Sequence, residues 1–150
     1  MSYQFKFEKI LTIREREKEE ASSAYNQSVN RFEEAAENLY ELLKRKEDLE
    51  AYQAKKMMSG LSVQEIRHHQ QFVGNLAKTI EHAQKMVQNA RNSMVYFQEK
   101  MLEKNLEVKK FVKIKEKDHS NYLAIARVEE AKQMDDISLQ QYLQHEKVGG

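Results

Sequence analysis

The stretch Met57-Met58-Ser59-Gly60-Leu61-Ser62-Val63-Gln64-Glu65 contains the clearest break in an otherwise helical sequence pattern. Gly60 suits the position that follows a helix C-terminus, where the left-handed backbone conformation favours glycine. Ser62 and Glu65 have the spacing of a capping box, in which the serine hydroxyl accepts a hydrogen bond from the Glu65 amide and the glutamate side chain returns to the Ser62 amide. This stretch therefore predicts a tight reversal between two helices.

Outward from the turn, apolar residues recur at alternating steps of three and four, which is the heptad pattern of a coiled coil. Before the turn these positions are Leu11, Arg14, Lys18, Ala21, Tyr25, Ser28, Phe32, Ala35, Leu39, Leu42, Lys46 and Leu49. After the turn they are Ile66, His69, Val73, Leu76, Ile80, Ala83, Val87, Ala90, Met94, Phe97, Met101, Lys104, Val108, Phe111, Lys115, Asp118, Tyr122 and Ile125. The two rows predict helices that pack against each other along one seam.

The composition favours the same all-α fold. The 150 residues include no proline, no tryptophan, no cysteine and only 4 glycines, and 33% of them are charged. So little glycine and proline leaves few places for turns. We predict a long two-helix antiparallel coiled-coil hairpin forming a single domain over residues 1–150. Its first helix spans about residues 3–58, its turn about 59–61, and its second, longer helix about 62–146.

The two helices are predicted to differ in length, so that the second has no partner at its end. If the first helix begins near residue 3, it can pair with the second helix only up to about residue 117. Lys115 and Asp118 interrupt the apolar row at this point. Apolar residues nevertheless continue beyond this point, at Tyr122, Leu123, Ile125, Val128, Ile137, Leu139, Tyr142 and Leu143. An unpartnered apolar stripe is a candidate docking surface. Disorder of the C-terminus is the alternative.

The motifs and spacings needed for catalysis or metal binding are missing from the sequence. Without cysteine there is no disulfide framework, thiolate zinc site or cysteine nucleophile. His68 and His69 are adjacent, whereas paired metal ligands on a helix need a spacing of three or four residues. His69 is instead expected at a polar seam position and His68 in solvent. We predict no enzyme, no cofactor and no metal site, because two paired helices also offer no concave pocket for a substrate.

Charge and hydropathy limit the partners. The net charge of +1 gives no overall attraction to nucleic acid, and no secretory signal or membrane-spanning run is visible. We therefore expect a cytoplasmic protein. The lysines of residues 109–117 could bind an acidic partner or a membrane surface. The favoured interpretation is that Glu8, Glu15 and Glu17 of the first helix neutralise them across the pair.

The opening segment Phe5-Lys6-Phe7-Glu8-Lys9-Ile10-Leu11-Thr12-Ile13-Arg14-Glu15-Arg16-Glu17 resembles the start of the bacterial flagellar export protein family FliJ. The segment from Gln70-Gln71-Phe72 to Leu76, which follows the glycine-containing turn, is similar to the same family, as is the chain length. The resemblance covers essentially the whole chain. It implies an antiparallel coiled coil resembling the rotor stalk subunit of rotary ATPases, within the type III export apparatus at the flagellar base.

The resemblance also implies two binding regions. Residues around the hairpin tip would contact the cytoplasmic domain of the membrane export gate, and the positions that match the family are Leu42, Phe72 and Leu76. The chain departs from the family at Arg45 and Leu49, where aromatic residues are expected. The end formed by both termini would enter the ring of the export ATPase. Geometry and resemblance together assign this contact to Leu11, Arg14, Tyr122, Ile125 and Val128.

These inferences lead to one main hypothesis and two alternatives. The main hypothesis is a stalk-like protein, monomeric when free, that couples the export ATPase ring to the export gate at the cytoplasmic face of the membrane. The first alternative is a chaperone or escort for export substrates, and contact with export chaperones is also implied by the family. The second is a generic coiled-coil scaffold that dimerises between chains.

Overall fold

A computed structural model describes residues 3–149 of the chain, with side chains described for residues 3–146. Two helices account for nearly all of this part: α1, Glu8–Ser59, and α2, Val63–Gly149. With 52 and 87 residues respectively, α2 is the longer helix, and the two pack against each other as a hairpin. The predicted all-α fold with unequal helices is confirmed.

The reversal between the helices has the local chemistry that the sequence predicts. Gly60 has a φ of +89°, in the left-handed region where a side chain would be strained. The amide of Glu65 donates to the Ser62 hydroxyl at 3.2 Å, which caps α2. The return bond from the Glu65 side chain is not among the hydrogen bonds of the described residues. The cap therefore forms only the first half of the predicted capping box.

The ends of the helices differ from the predicted ends. α1 begins at Glu8 rather than near residue 3, after a turn in which the Glu8 amide donates to the Phe5 carbonyl oxygen at 3.2 Å. The Phe5 ring, which lies before this turn, packs with Leu11 and Val108. At its other end α2 continues to Gly149 rather than to about residue 146.

Burial follows the two predicted rows closely. Every row position on α2 from Ile66 to Lys115 is buried or half-buried, and on α1 only the polar positions Lys18 and Lys46 are exposed. Ser28 is the most deeply buried of these residues, and its hydroxyl donates to the Tyr25 carbonyl oxygen at 2.6 Å. A small side chain that satisfies its own hydroxyl can occupy the seam at little cost. The heptad pattern therefore identified the packed faces correctly.

The contacts divide the hairpin into two compact units. The turn unit runs from Lys18 to Lys104, and Leu76, Ile80 and Ala83 are its most buried apolar side chains. The terminal unit combines the chain up to Glu17 with the chain from Asn105 onward. That the whole chain forms one domain stays a prediction.

In the terminal unit, packing extends further along α2 than predicted. Tyr122 and Ala126 are still half-buried, although the sequence placed the end of pairing at about residue 117. Residues 3–5 are not helical, and extended chain advances about 3.3 Å per residue, against 1.5 Å in a helix. This segment therefore reaches further along α2 than a helix would. Beyond Ala126, every side chain from residue 127 to residue 146 is exposed.

Candidate protein-binding surfaces

The first candidate surface lies at the helical reversal, within the turn unit. We call it the tip groove, and it is lined by Leu49, Tyr52, Gln53, Lys56, Leu61, Gln64, Glu65, His68, His69 and Phe72. The rings of Tyr52 and Phe72 are about half exposed here, one from each helix. Exposed aromatic rings of this kind supply large contact areas in protein interfaces. The groove therefore has the composition of a protein-docking site.

Charged and polar groups surround these rings. The Lys56 ammonium lies 5.7 Å from the centre of the Tyr52 ring, within the range of a cation–π interaction. His68 is exposed while His69 is half-buried in the seam, as the sequence predicts. The His69 Nε2 atom is buried and has no hydrogen-bond partner among the described residues. Nothing in this arrangement brings the two histidines together as ligands.

The three residues assigned to the export gate have different environments. Phe72 lines the tip groove and is 50% exposed, so a partner can reach it directly. Leu76 is only 8% exposed and belongs to the core between the helices. Leu42 is half-buried and does not line the groove. A partner at the groove would touch Phe72, whereas Leu76 would act by holding the helices in place.

Sequence reasoning missed several apolar residues around the turn. Met57, Met58 and Val63 are all largely exposed, and Met58 reaches 93%. They lie outside the heptad rows, next to the glycine that ends the helical pattern. Their position beside the turn could have identified them as candidate contact residues. Apolar residues that lie outside the seam and near a reversal are not covered by the opposite helix.

The second candidate surface begins where the N-terminal segment packs on α2. The Tyr3 hydroxyl donates to the Asp118 carboxylate at 2.8 Å, and its ring lies 4.8 Å from His119 and 5.3 Å from Tyr122. Partial burial, this hydrogen bond and the negative charges of Asp118 and Glu8 raise the pKa of Tyr3 to about 12. The same contacts explain why Tyr122 is half-buried. Tyr122 therefore contributes to packing as well as to any external contact.

Ion pairs join the two helices in this unit. The Lys115 ammonium lies 2.9 Å from the Glu8 carboxylate. The Arg14 guanidinium contacts Glu17 on its own helix at 3.1 Å and Glu107 on α2 at 3.8 Å. Each pair is partly exposed, so each adds only about 0–1 kcal/mol. These ion pairs set the relative orientation of α1 and α2 in this unit more than they stabilise it.

The five residues assigned to the ATPase ring also separate into two groups. Leu11 is 4% exposed and forms a small core with Phe5 and Val108, so it is a packing residue. Arg14 is engaged in the ion pairs just described. Ile125 and Val128 are exposed by 62% and 56%, so a partner can reach them. We call the exposed stretch of α2 from Ile125 to Tyr142 the terminal surface.

The predicted neutralisation of the lysine run is wrong for most of its members. Lys115 pairs with Glu8, as expected for a residue at the seam. Lys109, Lys110, Lys113 and Lys117 are all exposed and form no ion pair with any described residue. The physical reason is helical geometry, because these four side chains project from the side of α2 that faces away from α1.

The fold and its surfaces define a class: a two-helix hairpin protein that presents apolar side chains at its turn and along the end of its longer helix. The profile of the family described as "Flagellar FliJ protein" matches residues 3–147. The chain is also 50% identical over 143 residues to the flagellar FliJ protein of Bacillus subtilis (strain 168), covering 95% of this chain and 97% of that protein. No solved structure matches the chain.

This chain belongs to the FliJ family, as the resemblance of its N-terminal segment implies. Its family places it among proteins of flagellum biogenesis and flagellar protein export. Within the described residues, no helix is both long enough and apolar enough to cross a membrane. The same part of the chain holds no group of three or more histidine or acidic side chains arranged to bind a metal ion.

Proposed function

We propose that this protein is a non-enzymatic, stalk-like component of the flagellar export apparatus that couples the export ATPase ring to the membrane export gate. In this proposal the tip groove binds the cytoplasmic domain of the gate, and the terminal surface binds the ATPase ring. The protein would thereby be held at the cytoplasmic face of the membrane at the flagellar base. The observation that carries the proposal is that a FliJ-family hairpin exposes two separate apolar surfaces, one in each of its compact units.

The gate contact is assigned to the tip groove because Phe72 is both a position that matches the family and an exposed ring. Replacing Phe72 with alanine removes an aromatic contact without disturbing the core. We expect Phe72→Ala to weaken binding to the purified gate domain by at least tenfold, since truncating a central aromatic residue of an interface costs about 2 kcal/mol or more. Isothermal titration calorimetry with the full chain measures the change.

The matched control for this experiment is Tyr96→Ala. Tyr96 is an aromatic residue of the same turn unit with nearly the same exposure, but it does not line the groove. Equal gate affinities for Phe72→Ala and the parent chain, with unchanged helicity, would refute the assignment of the gate contact to the groove. Equal losses in both variants would show that the gate contact is not localised there.

The ATPase contact is tested by shortening α2. A chain that ends at Ala126 removes only exposed side chains among the described residues, so Tyr3, Tyr122 and the small core remain intact. We expect this truncation to lose both binding to the ATPase ring and stimulation of ATP hydrolysis. A second variant, Ile125→Ser with Val128→Ser, should show the same loss in the full-length chain. If both variants bind and stimulate normally, the ring contact lies elsewhere.

The rival function is that of an export chaperone or escort. It is favoured by the exposed apolar residues of the terminal surface, among them Met134, Ile137 and Leu139. An escort would bind export substrates or their chaperones through this surface without stimulating the ATPase. Truncation at Ala126 that abolishes substrate binding but leaves ATPase stimulation unchanged would support the escort. The generic scaffold is disfavoured by family membership, and light scattering that shows a monomer would exclude dimerisation between chains.

A further inference from the structure

The outward side of α2 in the terminal unit carries a row of cations. Residues that recur at steps of three or four lie on one face of a helix. Starting from Leu106, such steps give Lys110, Lys113, Lys117, Ser120, Ala124 and Arg127, and Lys109 adjoins the row beside Lys113. We call Lys109, Lys110, Lys113, Lys117 and Arg127 the basic face. It spans about 27 Å along the helix at 1.5 Å per residue.

The basic face points away from the packed side of α2. The residues that pack against α1 and the N-terminal segment are Val108, Phe111, Lys115 and Tyr122, and they lie on the opposite side of the helix. All five cations of the basic face are exposed. None forms an ion pair with a described residue, so their charges are not compensated within this part of the chain.

Acidic residues of the same stretch of α2 do not cancel this charge. Glu107 is engaged by Arg14, and Asp118 accepts the hydrogen bond from Tyr3. Glu116 stands at the edge of the basic face and makes no ion pair there. Glu130, three residues after Arg127, adds a second carboxylate at the end of the face. The face therefore combines five positive charges with two negative charges at its margins, although the whole chain has a net charge of only +1. The positive electrostatic potential is therefore concentrated on this side of α2.

We propose that the basic face binds the surface of an anionic lipid bilayer, with α2 lying along the bilayer plane. A helix side that faces solvent is convex, so it offers no groove for a peptide. Four of the five cations are lysines, whose flexible stems and compact charges suit a diffuse negative surface better than the fixed geometry of paired carboxylates. A planar anionic surface acts on all five charges at once, whereas a folded acidic protein would need a matched row of carboxylates.

Apolar side chains on the same side add a short-range contribution. Leu106 is 66% exposed and precedes the cations, and Val128 is exposed beside Arg127 at the other end of the face. Clusters of about four to eight lysine and arginine residues on a helix are typical of segments that bind anionic membranes. This contact does not involve the tip groove, but Arg127 and Val128 also lie on the terminal surface, so the bilayer and the ATPase ring would compete for this part of α2. It would give the protein direct affinity for a bilayer.

The test is sedimentation of the full-length chain with vesicles of phosphatidylcholine alone or mixed with phosphatidylglycerol. We expect binding to the anionic vesicles only, with an affinity that falls as salt is raised because the attraction is screened. Each lysine near an anionic surface is worth about a fivefold factor in affinity, so removing four charges should weaken binding by roughly 600-fold. The variant carries Lys109→Gln, Lys110→Gln, Lys113→Gln and Lys117→Gln.

A control variant makes the same change in charge elsewhere. It carries Lys44→Gln, Lys46→Gln, Lys55→Gln and Lys78→Gln, four exposed lysines of the turn unit. We expect it to bind anionic vesicles like the parent chain. An equal loss in the control would show that net charge rather than the basic face is responsible, and would overturn the proposal. So would equal binding of the parent chain to neutral and anionic vesicles.

A labelling experiment tests the orientation of α2. Because the sequence has no cysteine, a single Ser120→Cys substitution can carry an environment-sensitive fluorophore on the basic face. The fluorophore should report a less polar environment when anionic vesicles are added, whereas one attached through Thr12→Cys on α1 should not. The opposite pattern would contradict the proposed orientation. Binding to poly-glutamate without binding to anionic vesicles would overturn the lipid assignment in favour of an acidic protein.

Discussion

Replacing Leu11 with alanine separates packing from partner binding at the terminal unit. Leu11 is 4% exposed and shares a small core with Phe5 and Val108, around which Tyr3, Phe111 and Val112 pack. A buried Leu→Ala change costs about 2–5 kcal/mol of unfolding free energy. This core is small and lies beside solvent, so the cavity can partly collapse, and we expect about 2–3 kcal/mol.

Hydrogen exchange followed by mass spectrometry is the assay that localises this loss. In a hairpin with two compact units the loss need not spread through the whole chain, because units can open separately. Leu11→Ala should therefore accelerate exchange in α1 near Leu11 and in α2 near Val108 more than around Leu76. Urea unfolding followed by circular dichroism gives the accompanying change in free energy.

The control for this prediction is Ile13→Ala, two residues further along α1. Ile13 is more than half exposed, so its replacement should change stability by no more than about 0.5–1 kcal/mol. If Leu11→Ala is as mild as Ile13→Ala yet abolishes binding to the ATPase ring, then Leu11 is a contact residue and the core described above is wrong. If it is destabilising and weakens ring binding in proportion, its role is structural.

Three further changes test local features of the hairpin. Gly60→Ala should destabilise the turn by about 1–2 kcal/mol, because φ is +89° there, and thermal unfolding measures it. Ser62→Ala should cost about 1 kcal/mol by removing the cap on the Glu65 amide, whereas Ser62→Asp should retain stability in the same assay. Because the pKa of Tyr3 is raised to about 12, the stability gained from its neutral phenol should be complete below about pH 10 and be lost as pH rises through 12. Ultraviolet titration of phenolate absorbance should show one tyrosine ionising late, and this step should be missing in Tyr3→Phe; its persistence would contradict the Tyr3–Asp118 contact.

The heptad rows predicted the packed faces because coiled-coil packing is a local periodic property. A side chain that recurs every three and then four residues must return to the same side of its helix. The turn was equally predictable, since glycine and the Ser62 cap act within a few residues. The departures from prediction lie where residues distant in sequence meet: Phe5, which precedes α1, packs against Val108 of α2.

For the assigned binding residues too, the sequence predicts the position on the helix but not the exposure of the side chain. The family resemblance assigns Leu76 to a partner, and geometry together with resemblance assigns Leu11, although both side chains are buried. Neither a heptad row nor a matched motif distinguishes a seam residue from a contact residue. Phe72 lies beside the row rather than on it, and the structure exposes it in the tip groove. Exposure depends on what the other helix covers, and that information is not present in the periodicity of one helix.

By itself, the sequence determined that this protein is a helical hairpin with unequal helices that reverse at Gly60, and the opening segment indicated its family. Both are properties of residues that are close along the chain. Only the tertiary structure decided where the pairing of the helices ends, which of the assigned residues are accessible, and that four of the lysines in residues 109–117 point to solvent instead of to Glu8, Glu15 and Glu17. The physical reason is that burial and ion pairing depend on the angular position of each side chain relative to the other helix, and packing fixes that position.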